Sequence, residues 1–220
     1  MIETFDAVIS LGGRCQVAHQ LRRKYPGMKS KFFDWLITPD QSLIDMLGDG
    51  MTGFSSDTPL AEGHSHHKNR AHSHIVEGSY GTLLSHDFIN DGGAPGAQWK
   101  LIKGKYDRTV MRFHDTLGSG GRVLFVRMSF GRSGSFGYDA GDRANLALGM
   151  QIAASIDKFW PDLEYKLMLI SHIEADAVIF NNIEIIYVPE QLEWIWDGKD
   201  QDWDFLLDSR VKMSILHKKQ

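Results

Sequence analysis

Cysteine is nearly absent from this chain: Cys15 is the only one in 220 residues. An internal disulfide is therefore excluded, and with it the disulfide-stapled class of small secreted folds. Basic runs are also missing. No stretch of five or more Lys or Arg occurs, and 24 Lys plus Arg stand against 28 Asp plus Glu, for a net charge of -4. A large polyanion-binding face, and hence a nucleic-acid partner, is not expected. Uninterrupted apolar runs reach only a few residues, far short of the roughly 20 needed to span a bilayer. The opening "MIETFDAVIS" lacks the basic start and long apolar stretch of a secretory signal. These absences predict a soluble protein of a reducing cytoplasm with no membrane partner. No internal repeat at a fixed period stands out either.

What is present is enough apolar material for a sizeable core, 42% of residues, and the chain reads as one domain over residues 1–220. "VISL" is β-branched and apolar enough for a strand, and a helix follows over about 14–25. "KFFDWLI" reads as a short buried segment. "TPDQSLIDMLGDG" predicts a complete helix with Thr38 as N-cap, Pro39 at the first helical position, Gln41 closing a capping box, and Gly48 or Gly50 at its end. Positions 50–98 form a less regular insertion rich in His and Gly, with a strand pair around "SHIVEG" and "GTLLSHDF". From Trp99 onward, Ile102, Tyr106, Val110, Phe113 and Leu117 mark an amphipathic helix. In the second half, "RVLFVRMS", "YKLMLISH" and "IEIIYVPE" are strands of continuous apolar character. "ANLALGMQIAASIDKFW" is a helix between the first two. Such strands predict an α/β fold: an open, mostly parallel sheet with helices on both faces.

In an open parallel sheet, function gathers at the carboxyl ends of the strands. There the sequence places Gly12, Gly13, Arg14 and Cys15 after the first strand, Arg127 and Ser129 after "VLFV", Ser171 and His172 after "LMLI", and Glu190 after "IIYVP". Gly12 and Gly13 allow a tight turn, so that the amides of residues 13–16 point outward at a helix start. That end of a helix favours an anion. A thiol there loses its proton more readily than a free one, whose pKa is about 8.5, and the same amides can receive an oxyanion. The alternative is that Cys15 is simply a small buried apolar residue.

A thiolate nucleophile needs an imidazole. His86 ends an apolar strand beside Asp87 and Phe88, and His172 is its rival by strand topology. Asp87 cannot orient His86, because neighbours on a strand face opposite ways. Asp34 or Asp91 is left for that role. His19 lies one helical turn from Cys15. Arg127 can bind a carboxylate or phosphate with its fork of donors, or form an ion pair with Asp34. Five of the ten histidines fall between His64 and His74. The expectation for that tract is an exposed loop with adventitious metal binding, and no resident metal is predicted. "PEQLEWIWDGKDQDWDF" offers either a sugar-stacking platform or a terminal helix packing its tryptophans on the sheet. "FGRSGSFGYDAGDR" is Gly- and Ser-rich but lacks the ending of a P-loop.

The order "VISLGGRCQVAHQLRR", "KFFDWLITP", "LLSHDF", a "K...R..RF" helix over Lys103 to Phe113 and a "VLFVR" strand resembles a bacterial family of unknown function catalogued among papain-like cysteine peptidases. The resemblance marks Gly12, Cys15, Gln16, Phe33, Asp34, Trp35, His86, Asp87, Phe88 and Arg127. It implies Cys15 as nucleophile, His86 as base, and hydrolysis of an amide or ester with no cofactor. "LGGRCQ" is also similar to the "GNCQ" opening of capsular-polysaccharide acetyltransferases. That similarity implies transfer of an acetyl group from coenzyme A to a sugar hydroxyl, with Arg14, Arg127 or Arg132 near the phosphates. The expected partner is a small-molecule, peptide or glycan substrate. A non-catalytic sugar- or nucleotide-binding module is the reading from another class, and the sequence leaves the oligomeric state open.

Overall fold

A computed structural model describes residues 2–13, 15–54, 60–62, 72–89, 95–128, 144–189 and 197–214. In chain order the elements are β1 (Glu3–Phe5), β2 (Ala7–Ser10), α1 (Cys15–Lys24), a 3-10 turn (Phe32–Trp35), β3 (Leu36–Ile37) and α2 (Asp40–Gly48). Next come β4 (Leu60–Glu62), β5 (His72–Glu77), β6 (Leu83–Ile89), α3 (Pro95–Gly118), β7 (Val123–Met128) and α4 (Leu146–Phe159). The last are β8 (Tyr165–Ser171), β9 (Val178–Phe180), β10 (Ile183–Tyr187), α5 (Asp200–Asp208) and β11 (Val211–Met213).

The five-stranded sheet has the order β2-β7-β8-β10-β9. Its first four strands are parallel, and β9 returns antiparallel to β10 at the edge. Continuous apolar strands such as "VLFVRM" suit this position, because a central parallel strand is covered on both faces. The side chains alternate accordingly. Ile9, Phe125, Leu167, Leu169 and Ile185 enter a core shared with α2, α3 and α4. Val8, Leu124, Val126, Met168 and Ile170 enter a second core with Val17 and Leu21 of α1 and Trp203, Leu206 and Leu207 of α5. The mostly parallel α/β architecture with helices on both faces is thus observed. Among the described residues no helix is long and apolar enough to cross a membrane.

The insertion over 50–98 supplies β4, β5 and β6 of a second, antiparallel sheet of order β3-β6-β5-β4, whose edge strand β3 precedes the insertion. Its anticipated hairpin is β5 with β6, whose register shifts between Ser73 and Ile75. Helix α3 packs on this sheet where Trp99 stacks on Phe88 of β6, and on the 3-10 turn, with Phe33 edge-on to Phe113 and Phe32 edge-on to Tyr106. β1 and β11 form a separate parallel pair.

Two local expectations need correction. Helix α2 begins one residue later than its sequence signals suggest, with Pro39 as N-cap. The carbonyl of an N-cap accepts the first helical bond. Here the Thr38 carbonyl accepts from Arg127 Nη2 at 2.8 Å, and the first helical bond runs from Leu43 N to Pro39 O. Gln41 bonds Asp45 along the helix and closes no capping box. The terminal helix covers only residues 200–208; Trp203 packs in the second core, while Trp194 and Trp196 lie outside the described residues.

Candidate active site at the carboxyl edge of the sheet

Strand β2 leads through Leu11 into a glycine turn. Gly12 and Gly13 have φ of +71° and +78°, a region costly to any residue with a Cβ. Space is short as well: a Cβ on Gly13 would run into the carbonyl oxygen of Met128, the last residue of β7. One on Gly12 would stand 3.2 Å from Thr38 Oγ1. The turn therefore rides on the end of the neighbouring strand, and it delivers Cys15 half buried to the first position of α1. The first amides of a helix have no intrahelical acceptor. No acidic residue occupies the first turn, while Arg22, Arg23 and Lys24 sit at the other end, where cations suit the helix dipole.

Helix α1 divides its surface three ways. Val17 and Leu21 face the sheet. Gln16 and Gln20 are buried against the segment before α5, where Gln20 Nε2 donates to Asp197 O at 2.6 Å and Gly198 packs against the Gln16 amide. Cys15, His19 and Arg22 share the remaining stripe, at the i, i+4, i+7 spacing of one helix face. Arg22 binds Asp34 at 3.0 Å and lies over the Trp35 ring at 5.3 Å. Trp35 in turn meets the His86 ring edge-on at 5.9 Å between centroids. His86 is thereby tied to the flank of α1, beside the turn that carries Arg22.

Asp34 is buried, which pushes its carboxyl above the ordinary range against the opposing pull of the Lys31 amide and Arg22. Its hydrogen bonds go to those two groups, and Trp35 is the residue of that pair that touches His86. Asp87 is held by Lys105 and Tyr106 of α3, on the strand face away from His86. Asp91 lies outside the described residues.

Arg127 is 1% exposed. Its Nε binds Asp40 at 3.1 Å, Nη1 the Leu11 carbonyl at 2.9 Å, and Nη2 both Asp40 and the Thr38 carbonyl. The ion pair once expected with Asp34 is formed with Asp40, because Asp34 faces α1 and not β7. Arg127 thus fastens the cysteine turn to the start of α2. Arg14, Ser129, Arg132, Glu190, residues 130–143 and His64–Ala71 lie outside the described residues.

His172 follows the last residue of β8. Met168 and Ile170 point into the core beneath α1, so strand alternation sends His172 toward the same face. Its Nδ1 lies 2.8 Å from the Val188 carbonyl. A carbonyl only accepts, so Nδ1 carries the hydrogen and Nε2 is left as the acceptor. That Nε2 is buried and has no partner among the described residues. Thr38 Oγ1, beside Gly12, is in the same condition. Neither Thr38, Asp40 nor the Gln16–Gly198 packing was anticipated. Only the Thr-Pro-Asp order hinted at the first two, and nothing hinted at the third.

Strand, glycine turn and a half-buried cysteine at the first position of a helix, at the carboxyl edge of a parallel sheet, define the site of this α/β protein. The chain belongs to the family described as putative papain-like cysteine peptidase (DUF1796), whose model matches residues 6–175. That span includes Cys15, His86 and His172. No curated protein and no solved structure matches the chain.

Proposed function

We propose that Cys15 is the nucleophile of an acyl-transfer reaction with water as the acceptor, so that the protein hydrolyses an amide or ester. The glycine turn carries this reading: it sets a half-buried thiol at the first position of α1, where the opening amides have no acceptor within the helix. In the first step an imidazole takes the thiol proton and becomes imidazolium, the sulfur attacks the acyl carbon, and the carbonyl electron pair moves to oxygen, where those amides receive it. Collapse of that intermediate expels the amine or alcohol, which takes a proton from the imidazolium. Water then attacks the thioester, giving its proton to the imidazole. The second collapse frees the acid and restores the thiol.

We assign the imidazole to His172. The Val188 carbonyl sets its tautomer, its Nε2 is an acceptor without a donor among the described residues, and it lies at the edge where the cysteine turn emerges. Gly13 already crosses onto Met128, and Met128 pairs with Ile170, two residues before His172. His86 is the other imidazole, favoured by the family's order of motifs and by its tie to α1 through Trp35 and Arg22. Transfer to a sugar hydroxyl from coenzyme A is the second reading, supported by the strand-turn-helix placement of the cysteine. Arg127, with its donors on Asp40, Leu11 and Thr38, contributes nothing to a phosphate groove. Arg14 and Arg132 would have to form it.

The test is the rate of iodoacetamide labelling of Cys15 against pH, in the native chain and in His172→Ala and His86→Ala. The expected result is fast labelling with a midpoint well below about 8.5, raised by His172→Ala and unchanged by His86→Ala. The reverse pattern transfers the base to His86. Slow labelling at every pH in folded protein makes Cys15 inert and the protein a binding module. Release of free thiol from acetyl-coenzyme A only when a glycan is present would replace hydrolysis by transfer.

A further inference from the structure

At the opposite end of the sheet, where β7, β8 and β10 begin, a cavity of about 570 Å³ opens at the surface. That volume falls within the range of small-molecule sites. Its floor is a chain of ion pairs drawn from separate segments. Lys166 lies between Glu3 and Glu184, at 2.5 and 2.6 Å. Arg122 binds Glu3 at 2.6 Å, and Arg210 binds Glu184 at 2.8 Å. On the rim stand Ile179 of β9 and Phe205 of α5, 73% and 76% exposed. Leaving such side chains in water forgoes the stabilisation that burial would bring. Here the two face a common opening.

Two observations define the chemistry of an occupant. Among the residues that line it, three cations stand against two carboxylates, and Glu164, outside the lining, lies 3.0 Å from Arg122. Burial alone would raise Glu184, but Lys166 and Arg210 hold it below the ordinary range, and Lys166 holds Glu3 low as well. The two glutamates likewise keep Lys166 above its ordinary value despite its burial. The guanidinium groups are also incompletely used. Arg122 donates to Glu3 through Nη2, while its buried Nε, 3.0 Å from Glu164, makes no hydrogen bond among the described residues; Arg210 donates to Glu184 and Ser209 through Nε and Nη1. Arg122 Nη1 and Arg210 Nη2 have no acceptor among the described residues. Planar anions are the natural acceptors for such donors.

The geometry points to a binding site for a small organic anion, with its carboxylate toward Arg122 and Arg210 and its apolar part against Phe205 and Ile179. β8 runs seven residues between the two edges, about 20 Å at the rise of a strand. The occupant is therefore a separate ligand and not the acyl group attacked by Cys15, and the site stands whether or not that reaction does.

The test titrates isotope-labelled full chain with benzoate, and with benzyl alcohol and benzylamine as neutral and cationic counterparts, following the backbone amides of Asn181, Asn182 and Ser209. Benzoate should shift these amides saturably, benzyl alcohol more weakly, and benzylamine not at all. Phe205→Ser removes an exposed ring and leaves every ion pair in place. It should weaken benzoate about fivefold to tenfold, with the rate of Cys15 labelling unchanged. An equal response to benzylamine, no saturation by about 20 mM benzoate, or unaltered affinity in Phe205→Ser would each overturn the assignment.

Discussion

The two ends of the main sheet treat polar groups in opposite ways. At the amino end, Glu3, Lys166, Glu184 and Arg210 are linked pair to pair, and every carboxylate has a cation. At the carboxyl end, His172 Nε2 and Thr38 Oγ1 are buried without a partner among the described residues, two glycines hold positive φ, and a thiol sits half exposed. A buried polar group without a hydrogen bond costs about 1–3 kcal/mol. Buried groups without a partner among the described residues also occur at Arg22 Nε, Tyr25 Oη, Arg122 Nε and Ser214 Oγ, so it is the coincidence of such groups with the positive-φ glycines and the thiol that makes the carboxyl end the one to search for a reaction.

The strongest challenge to this contrast is Arg127, which belongs to the carboxyl end yet is fully bonded. If it is a fastener, Arg127→Met should remove the partner of Asp40 and leave the Leu11 and Thr38 carbonyls without their donor. Urea unfolding should then register a loss of about 3–5 kcal/mol, the usual result of breaking a buried pair. A loss under about 1 kcal/mol would make Arg127 a group held in reserve for a ligand. Next in size is Gly13→Ala, which combines positive φ with collision against the Met128 carbonyl. A strained position of this kind costs about 1–3 kcal/mol. Because the turn aims Cys15, iodoacetamide labelling should slow in the protein that remains folded.

These two positions also show what a sequence can and cannot disclose. Gly-Gly after an apolar strand and before a helical stretch announces the cysteine turn, because backbone conformation is a local property. The strands of the main sheet are legible for the same reason, since burial on both faces leaves its mark on every residue of "VLFVRM". The partner of Arg127 is not legible. Asp34 and Asp40 are both near in sequence to the same turn, and only the direction of the chain after Trp35 decides that one faces α1 and the other β7. The packing of Gly198 on Gln16 joins segments more than 180 residues apart and has no periodic signal. β9 escaped notice because three residues, "VIF", are too few to show a pattern.

The amino end can be tested by pH. Glu3 and Glu184 titrate below their ordinary value. Their contribution is therefore complete above the unfolded value of about 4.3 and is lost as pH falls through the lower folded values. Each unit of depression is worth about 1.4 kcal/mol. Lys166 is raised, so its share persists below about 10.4 and disappears as pH rises past its folded value. Stability measured by urea should thus fall off on both the acid and the alkaline side. Glu184→Gln should flatten the acid side, while Cys15→Ser leaves the acid side unchanged. An unaltered acid limb in Glu184→Gln would place the acid sensitivity elsewhere and weaken the contrast between the two ends.

The smallest effect is expected at Thr38, and its sign is more informative than its size. The side chain is fully buried, and its hydroxyl has no partner among the described residues. Valine keeps the branched shape and discards only the polarity. If the hydroxyl is a cost kept for the reaction, Thr38→Val should raise stability by up to about 1 kcal/mol while slowing Cys15 labelling, the exchange of stability for function expected at an active site. A gain in stability with labelling unchanged would show that the hydroxyl serves neither end. A loss of stability would mean that it is bonded in solution, by water or by a residue outside those described, and the carboxyl end would then be less unsatisfied than His172 alone suggests.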